Sequence, residues 1–251
     1  MIKFFRRIRY DLMEKNPTSA KASAGAKTGK YFKYAIGEIV LVVIGILIAL
    51  QINNWNEGRK LKIEERKVVK RLIKETKKDI VFYKSRIDGI NEESIITFNK
   101  LLLIGDGKAN DSILDSVLPE YFSFSGGWSY ESSLVKNNSN TNEIIQSDEI
   151  KEKLQEVFFI YEYVDKACTI SNDLKYNLGI PLDIKYYKTI NSMDSLLLYS
   201  HLKTPLKDPE VLGIITNFIS WDENALAQIE KMQKSLKEFL ELLEAYSSKI
   251  S

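Results

Sequence analysis

The chain has 251 residues, of which 44% are apolar and 28% are charged. This length and composition suit one large domain, or one domain with an appendage, and exclude both a disordered chain and a membrane protein with many spans. The single cysteine, Cys168, excludes an internal disulfide, and with the single histidine, His201, it provides too few ligands for a Cys/His zinc site.

The small net charge of +2 hides a segregation of charge along the chain. Residues 1–33 carry a balance of +7 and residues 53–79 carry +5, whereas residues 80–251 carry −9. Between the two basic stretches lies an apolar run whose only charge is Glu38. Both flanks of this run are therefore basic, and the distal bulk of the chain is acidic.

The first fourteen residues have the pattern of a basic amphipathic helix. Phe5, Ile8 and Leu12 fall on one helical face, and basic residues surround it. Such a helix suits an anionic membrane leaflet, although an ordinary packed helix fits the same short pattern. The basic side chains that we expect at lipid headgroups here are Arg6, Arg7 and Arg9. Residues 15–30 are rich in Ala, Gly, Ser and Lys without an apolar period, which predicts a flexible linker.

One apolar run is long enough to cross a bilayer. Residues 34–52 are nineteen in number, and at about 1.5 Å per residue they nearly match the ~30 Å hydrocarbon core. Aromatic and basic residues bracket the run, and those expected at headgroups are Lys33, Arg59 and Lys60. A buried core helix is the alternative, but such helices rarely have both kinds of flanking residue. We predict an uncleaved membrane helix within residues 31–56, because no signal-peptide cleavage site follows the run.

The orientation of this helix is harder to predict, because Lys and Arg are numerous on both sides of it. The basic amphipathic leader favours a cytoplasmic N-terminus, since cytoplasmic leaflets are anionic. We therefore expect a single-pass protein of the inner membrane whose C-terminal domain, residues 57–251, is periplasmic.

One face of the apolar run has the pattern of a helix-association surface. The residues on this face are Glu38, Val42, Gly45 and Ala49. Gly45 and Ala49 form a small-xxx-small pair, which lets two helices approach closely. Glu38 is either an interfacial carboxylate or a buried polar contact in an oligomer. This face predicts association with a second copy or with another membrane helix.

Two blocks of the sequence resemble a known family. The block KYFKYAIGEIVLVVIGILIALQINNWNE at 30–57, after the basic start MIKFFRRIR, resembles the signature of an uncharacterised single-pass membrane-protein family of Bacteroidota-type Gram-negative bacteria. Residues 128–161 are similar to a second, weaker block of that family, and the linker at 17–29 is an insertion relative to its usual leader. The resemblance implies an inner-membrane location and supplies no activity, because the family is a domain of unknown function.

The distal domain has the periodicity of long helices throughout, which predicts an all-α fold. Apolar positions spaced by three and four predict a first helix over 57–104 that continues the membrane helix as a stalk and stops at the GDG turn, 105–107. A short helix capped by Asp111 follows, then a loop or a short extended piece over 121–127. A further helix is expected over 129–137, and a loop over the Asn-rich stretch NNSNTN after it.

Three more helices complete the expected bundle. The first runs from about Ile150 until Gly179 and Pro181 end it, and the next spans 183–202. The last opens with Asp208, Pro209 and Glu210, a favourable N-terminal sequence. We expect an antiparallel bundle in which the first and last long helices pair, so that the C-terminus returns toward the membrane.

Few residues in the sequence suggest catalysis or metal binding. His201 lacks the Glu-x-x-His spacing of di-iron bundles, and no nucleophile elbow or phosphate-binding glycine loop is present. Cys168 falls on an apolar helix face, where a core thiol is expected rather than a nucleophile. The carboxylates near the start of the helix at 150 are explained by the helix dipole. We therefore predict a non-catalytic protein without cofactor or metal, and the basic stretch after the membrane helix is interpreted as a solvated or lipid-facing surface rather than a nucleic-acid surface.

Two function classes remain. The first is an interaction or scaffold protein that binds another envelope component or a copy of itself. The second is a sensor-like bundle that binds a small ligand and signals through a partner, with Trp128, Tyr130 and Tyr161 as the expected ligand or partner surface. An enzyme is the least favoured class.

Overall fold

A computed structural model describes residues 24–108, 123–137, 141–190 and 205–250, with side chains from residue 36 onwards and, in the third range, up to residue 186. The regular structure within these ranges is helical, and no strand occurs there, which confirms the all-α fold. The predicted N-terminal amphipathic helix, the helix capped by Asp111, and His201 lie outside the described residues. The chain divides into two compact units, Met1–Lys60 and Leu61–Ser251.

The first long helix, α1, spans Ala24–Gly89, and the boundary between the two units falls inside it. The linker predicted over 15–30 is therefore wrong for its last seven residues. This stretch contains Ala24, Ala26, Lys27 and Lys30. It also contains Gly25 and Gly29, which disfavour a helix, so propensity alone does not explain its structure. Extending an existing helix avoids the cost of a new nucleus.

The helical path continues beyond α1 through a π-helical segment, Ile90–Ile96, into α2, Thr97–Gly105. The predicted end at the GDG turn is confirmed. Asp106 caps α2, and Gly107 has a φ of +68°, a conformation that glycine adopts without the strain that a side chain brings.

Two short helices lie in the segment that follows. Helix α3 spans Ser133–Lys136 and α4 spans Thr141–Ile144. The helix predicted over 129–137 is wrong in its first turn, because Ser132 is extended and caps the Val135 N–H with its side chain. The loop expected from Asn137 is wrong at Thr141, where α4 begins.

Helix α5 spans Asp148–Leu174, and it leads through a second π-helical segment, Lys175–Gly179, into α6, Ile180–Ile190. The prediction that Gly179 and Pro181 end this helix is wrong. A π-helical turn pairs residues five apart, so the chain passes a proline that lacks an N–H without leaving the helical path. Gly179 serves close packing instead, since a Cβ there would collide with the carbonyl oxygen of Phe124.

The last helix, α7, spans Pro209–Ile250, after a 3₁₀ turn at Pro205–Lys207. Asp208 accepts a hydrogen bond from the Glu210 N–H at 3.0 Å, which confirms the predicted N-terminus.

Helices α1, α5 and α7 surround the core of the second unit. The part of α1 in the second unit, residues 61–89, is called the bundle part of α1. The hydroxyl of Tyr246 donates to Glu65, and Ser94, just beyond α1, donates to Asp222. The bundle part of α1 and α7 are therefore antiparallel, as predicted. Helices α5 and α7 are also antiparallel, since Lys153 pairs with Glu238 and Ser171 with Asp222. The predicted apolar stripes form the core, and its fully buried members include Leu72, Tyr83, Leu101, Leu154, Phe218, Phe239 and Leu243.

Candidate functional site

In the first unit, the apolar run is exposed around its whole circumference. No residue of its most apolar 18-residue window is buried, and it forms the only helix among the described residues that is long and apolar enough to cross a membrane. The exposed side chains include Ile39, Val42, Val43, Ile46, Leu47 and Leu50. An apolar surface of this size on every side of a helix requires a nonaqueous environment or a partner.

The predicted helix-association face lies on this exposed surface. Glu38, Val42, Gly45 and Ala49 are all exposed, and a Cβ at Gly45 would meet nothing within 4 Å. No intrachain contact in the described part of this unit therefore explains a glycine at position 45. A shallow apolar depression lined by Glu38, Ile39, Val42 and Val43 lies on the same side.

Two of the predicted headgroup contacts, Arg59 and Lys60, are exposed. The Arg59 guanidinium lies 5.7 Å from the centroid of the Trp55 ring, a cation–π distance. Arg6, Arg7 and Arg9 lie outside the described residues, and the side chain of Lys33 is outside them as well. The basic end of the run thus combines an aromatic side chain and a cation, as interfacial segments do.

A cluster of polar side chains lies in the centre of the second unit. Lys175 and Asp222 are 2% and 1% exposed, and the lysine Nζ lies 2.8 Å from Oδ1 and 2.6 Å from Oδ2 of the aspartate. Two serines complete the cluster. Ser171 donates to Asp222 Oδ1 at 2.6 Å, and Ser94 donates to Oδ2. Lys175 also donates to the Ser94 hydroxyl oxygen at 3.1 Å.

The cluster is closed, because each of its polar atoms has a partner. The three protons of the Lys175 ammonium meet three oxygen acceptors, and both oxygens of Asp222 accept two hydrogen bonds. Burial lowers the pKa of Lys175, because the ammonium loses its water, and the charge of Asp222 opposes this shift. Such a network positions helices in one arrangement, and it offers no free group to a substrate.

The cluster coincides with both π-helical segments. Ser94 lies within Ile90–Ile96, and Lys175 begins Lys175–Gly179. The π turns bring these two side chains to Asp222 on α7. π-helical turns often occur at functional sites, and here they serve the internal ion pair.

Three acidic side chains fix the connecting segments to the long helices. Asp79, which is buried, accepts hydrogen bonds from the Ser132 hydroxyl at 2.5 Å and from the Ser133 and Leu134 N–H groups at 2.9 and 3.0 Å. Glu65 accepts from the Gln146 N–H at 2.6 Å. In the same way, Asp183 accepts from the Phe124 and Ser125 N–H groups. The carboxylates thus satisfy backbone donors that a loop would otherwise leave unpaired.

The predicted aromatic surface is largely occupied by the protein itself. Trp128 packs against Gly89 and lies 5.7 Å from the Arg86 guanidinium, while its backbone exchanges two hydrogen bonds with Asn172. The Tyr130 hydroxyl lies 2.7 Å from that of Thr169. Tyr161 is half-buried, and burial together with the charge of Asp165 raises its pKa. All three aromatic side chains are half-buried.

Cys168 is buried in the core, as expected for a core thiol. Burial raises its pKa to about 12, and the charges of Asp165 and Asp222 act in the same direction. A thiol with this pKa is protonated at neutral pH and is a poor nucleophile.

Sequence reasoning missed the ionic cluster, although it left a signal. Ser94 and Lys175 occupy positions in the helical stripes that are otherwise apolar, and Asp222 lies between Phe218 and Ala225 at the same spacing. A polar residue in an apolar stripe is either out of register or paired inside the core. The sequence does not reveal which, because the partners are 81 and 47 residues apart in the chain.

In the described residues, the fold and these sites define a helical protein with a fully exposed apolar run in α1 and a closed ionic cluster in its bundle. The chain matches the model of a family of unknown function (DUF6090) over residues 38–117. The match begins within the apolar run and includes Ser94, but Lys175 and Asp222 lie outside it. No curated protein and no solved structure matches the chain.

Proposed function

We propose that the chain is a single-pass membrane protein whose helical bundle is a non-catalytic interaction module of the cell envelope. The observation that carries this proposal is the apolar run of the first unit, which is exposed on every side among the described residues. A bilayer supplies the apolar surroundings that this surface needs. Arg59 and Lys60, next to the run, provide cations for lipid phosphates.

The scaffold role is supported by the burial or pairing of the potentially reactive side chains in the bundle. The buried lysine and aspartate neutralise each other, and the thiol of Cys168 is buried and protonated. Trp128 and Tyr130 are engaged by α1 and α5. A surface that binds another protein remains the simplest role for such a domain, with an envelope protein or a second copy of the chain as partner.

Extraction of membranes at alkaline pH tests the anchor. We expect the full chain to remain in the pellet after carbonate washing and to be released by detergent. Release by carbonate alone would contradict a membrane-spanning helix.

Protease treatment of sealed spheroplasts tests the orientation, which we propose to be N-terminus in the cytoplasm and bundle in the periplasm of a Gram-negative inner membrane. The bundle should be digested, whereas an epitope at the N-terminus should be protected. Protection of the bundle would reverse the orientation and leave the anchor intact.

Copurification from mild detergent separates the scaffold from the sensor. A stoichiometric protein partner supports the scaffold, whereas a monomer whose melting temperature rises with a metabolite supports the sensor.

Substitutions on the predicted helix-association face test that surface. Gly45→Leu and Glu38→Gln should lower the signal of a membrane-helix association reporter, because they remove the small residue that allows close approach and the carboxylate.

A further inference from the structure

The outer face of α1 in the second unit carries a row of exposed lysines. This cationic row consists of Lys67, Lys70, Lys74 and Lys78, which follow each other at intervals of three and four residues. All four are exposed, and none belongs to an ion pair within the described residues. At about 1.5 Å per residue the row extends for about 16 Å along the helix.

The outer face of α5 carries the opposite charge. This acidic row consists of Glu149, Glu152 and Glu156, all exposed, and Glu156 also pairs with Lys153 at 2.9 Å. Two exposed aromatic side chains, Phe159 and Tyr163, continue the row. They are 58% and 50% exposed, and their rings form an edge contact with centroids 5.0 Å apart. Exposed paired aromatic rings beside charges are typical of a protein-binding surface.

The two rows lie at the same level of the bundle, because α1 and α5 run parallel. Glu65 accepts from Gln146, and Ser94 accepts from Lys175, and both pairs are 81 residues apart in the chain. A residue of α1 is therefore level with the residue of α5 about 81 positions later. By this rule Lys70 is level with Glu152 and Lys74 with Glu156, each to within one residue.

The apolar ends of the rows correspond as well. Val81, which is 70% exposed, is level with Tyr163, and Lys78 is level with Phe159. Lysine stems pack well on aromatic faces. The two outer faces are thus complementary in charge and in apolar surface along the same length.

We propose that the cationic row of one copy docks on the acidic row and the Phe159–Tyr163 pair of a second copy, with the two bundles side by side and parallel. This proposal rests on the interaction role proposed above and names its partner. The contact is between unlike faces, so each pair of copies retains one free row of each charge and can add further copies.

Spacing favours a second copy over lipid as the occupant of the cationic row. Lys67 lies fifteen residues beyond Ile52, the end of the apolar run, whereas Arg59 and Lys60 lie within eight. A lipid surface also has no fixed spacing, whereas the acidic row repeats the intervals of the lysines. The outer face of α7 carries both signs of charge, including Glu230, Lys231, Lys234 and Lys237, and has no such match.

Charge reversal in the full chain, solubilised in mild detergent, tests the proposal. Lys67 is level with Glu149 and Lys70 with Glu152, each to within one residue. K67E/K70E and E149K/E152K should therefore each weaken self-association by about tenfold, measured by sedimentation velocity and by cross-linking, because two attractions become repulsions. All four substitutions in one chain should restore self-association, and so should mixing the two double variants. Wild-type association should weaken as salt rises.

K231E/K234E on α7 is the matched control, because it makes the same charge change on exposed lysines outside the rows. It should leave self-association unchanged, and all variants should keep the wild-type melting temperature within a few degrees. A wild-type chain that is monomeric overturns the proposal. Failure of the combined variant to restore association also overturns it.

Binding of the same variants to vesicles containing anionic phospholipid tests the other occupant. If K67E/K70E lowers vesicle binding and leaves self-association intact, the cationic row binds lipid and the proposal is wrong. The proposed membrane anchor fails independently: a chain that self-associates but is released by carbonate refutes the anchor alone. A chain that is retained by membranes but monomeric refutes the docking alone.

Discussion

The apolar run and the bundle part of α1 belong to one helix but distribute their side chains in opposite ways. In the run, apolar residues on all sides are exposed, from 46% at Ile44 to 63% at Ile39. In the bundle part, Val69, Leu72 and Tyr83 on one face are fully buried, while the opposite face is lysine-rich. Both regions form a helix, but the positions of the polar residues decide which surroundings each region requires.

The bundle and the run also differ in where their charged side chains lie. The run contains one exposed carboxylate, Glu38, whereas the bundle encloses a complete ion pair with both partners saturated by hydrogen bonds. A buried pair of this kind does not by itself stabilise a protein, but breaking it is costly.

Arginines in the middle of the run should have the largest effect. Each arginine at the centre of a membrane helix costs about 3 kcal/mol of insertion free energy, so V43R/I46R should cost about 6 kcal/mol and abolish retention in carbonate-washed membranes. Val81→Arg is the matched control, because Val81 is equally apolar and more exposed but lies in the bundle. Retention of V43R/I46R in the membrane pellet would remove the distinction between the two regions.

Removal of one partner of the buried pair should strongly destabilise the bundle. Asp222→Ala leaves the Lys175 ammonium buried without a counter-charge, and we expect a loss of about 3–5 kcal/mol of unfolding free energy in denaturant titrations. The double variant D222L/K175M removes both charges and should recover most of this loss. If Asp222→Ala alone is neutral, the pair is not closed to water as the geometry indicates.

Alkaline pH should destabilise the bundle through Cys168. The pKa of its thiol is about 12 in the folded chain against 9.0 for an ordinary thiol, so the folded state holds a proton that the unfolded state releases. This stabilisation is complete below pH 9 and is lost as the pH rises to 12, by on the order of 4 kcal/mol. The stability of Cys168→Ala should therefore fall less steeply than wild type between pH 9 and 12. If the free energy of unfolding fell equally steeply with pH in both proteins, burial would not raise the pKa of this thiol.

A methyl group at position 179 should have a smaller but clear effect. Gly179→Ala places a Cβ against the Phe124 backbone, which cannot yield as a flexible side chain does, and should cost about 2 kcal/mol. Gly213→Ala in α7 is the control, because a Cβ there meets nothing within 4 Å. It should instead stabilise the bundle by about 0.5–1 kcal/mol. Thermal unfolding of the two variants in opposite directions would confirm the close contact.

The long helices and the core could be predicted from sequence, because their apolar residues recur every three or four positions. Leu154, Leu236 and Leu243 are buried for this reason. The N-terminus of α7 was also predictable, since Asp208 and Pro209 form a local signal.

Features that depend on contacts distant in the chain were not predictable. Gly179 and Pro181 are ordinary stop signals, and only the π turn and the Phe124 backbone explain why the helical path continues. The first turn of the helix expected over 129–137 is not helical, and Asp79 accepts hydrogen bonds there from residues 132–134. The ionic cluster was not predictable either, because its polar residues come from helical segments that meet only in the folded chain.

The two π-helical segments lie side by side in two parallel helical paths. A π turn contains one residue more than an α turn, and one extra residue rotates all later side chains by about 100°. Because Ser94 and Lys175 touch, both helices take this rotation at the same height. An insertion or deletion in one helix alone would turn its later residues away from the core. A single-residue deletion that converts either π turn into an α turn should therefore turn the later side chains of that helix away from the core, whatever the length of the other helix.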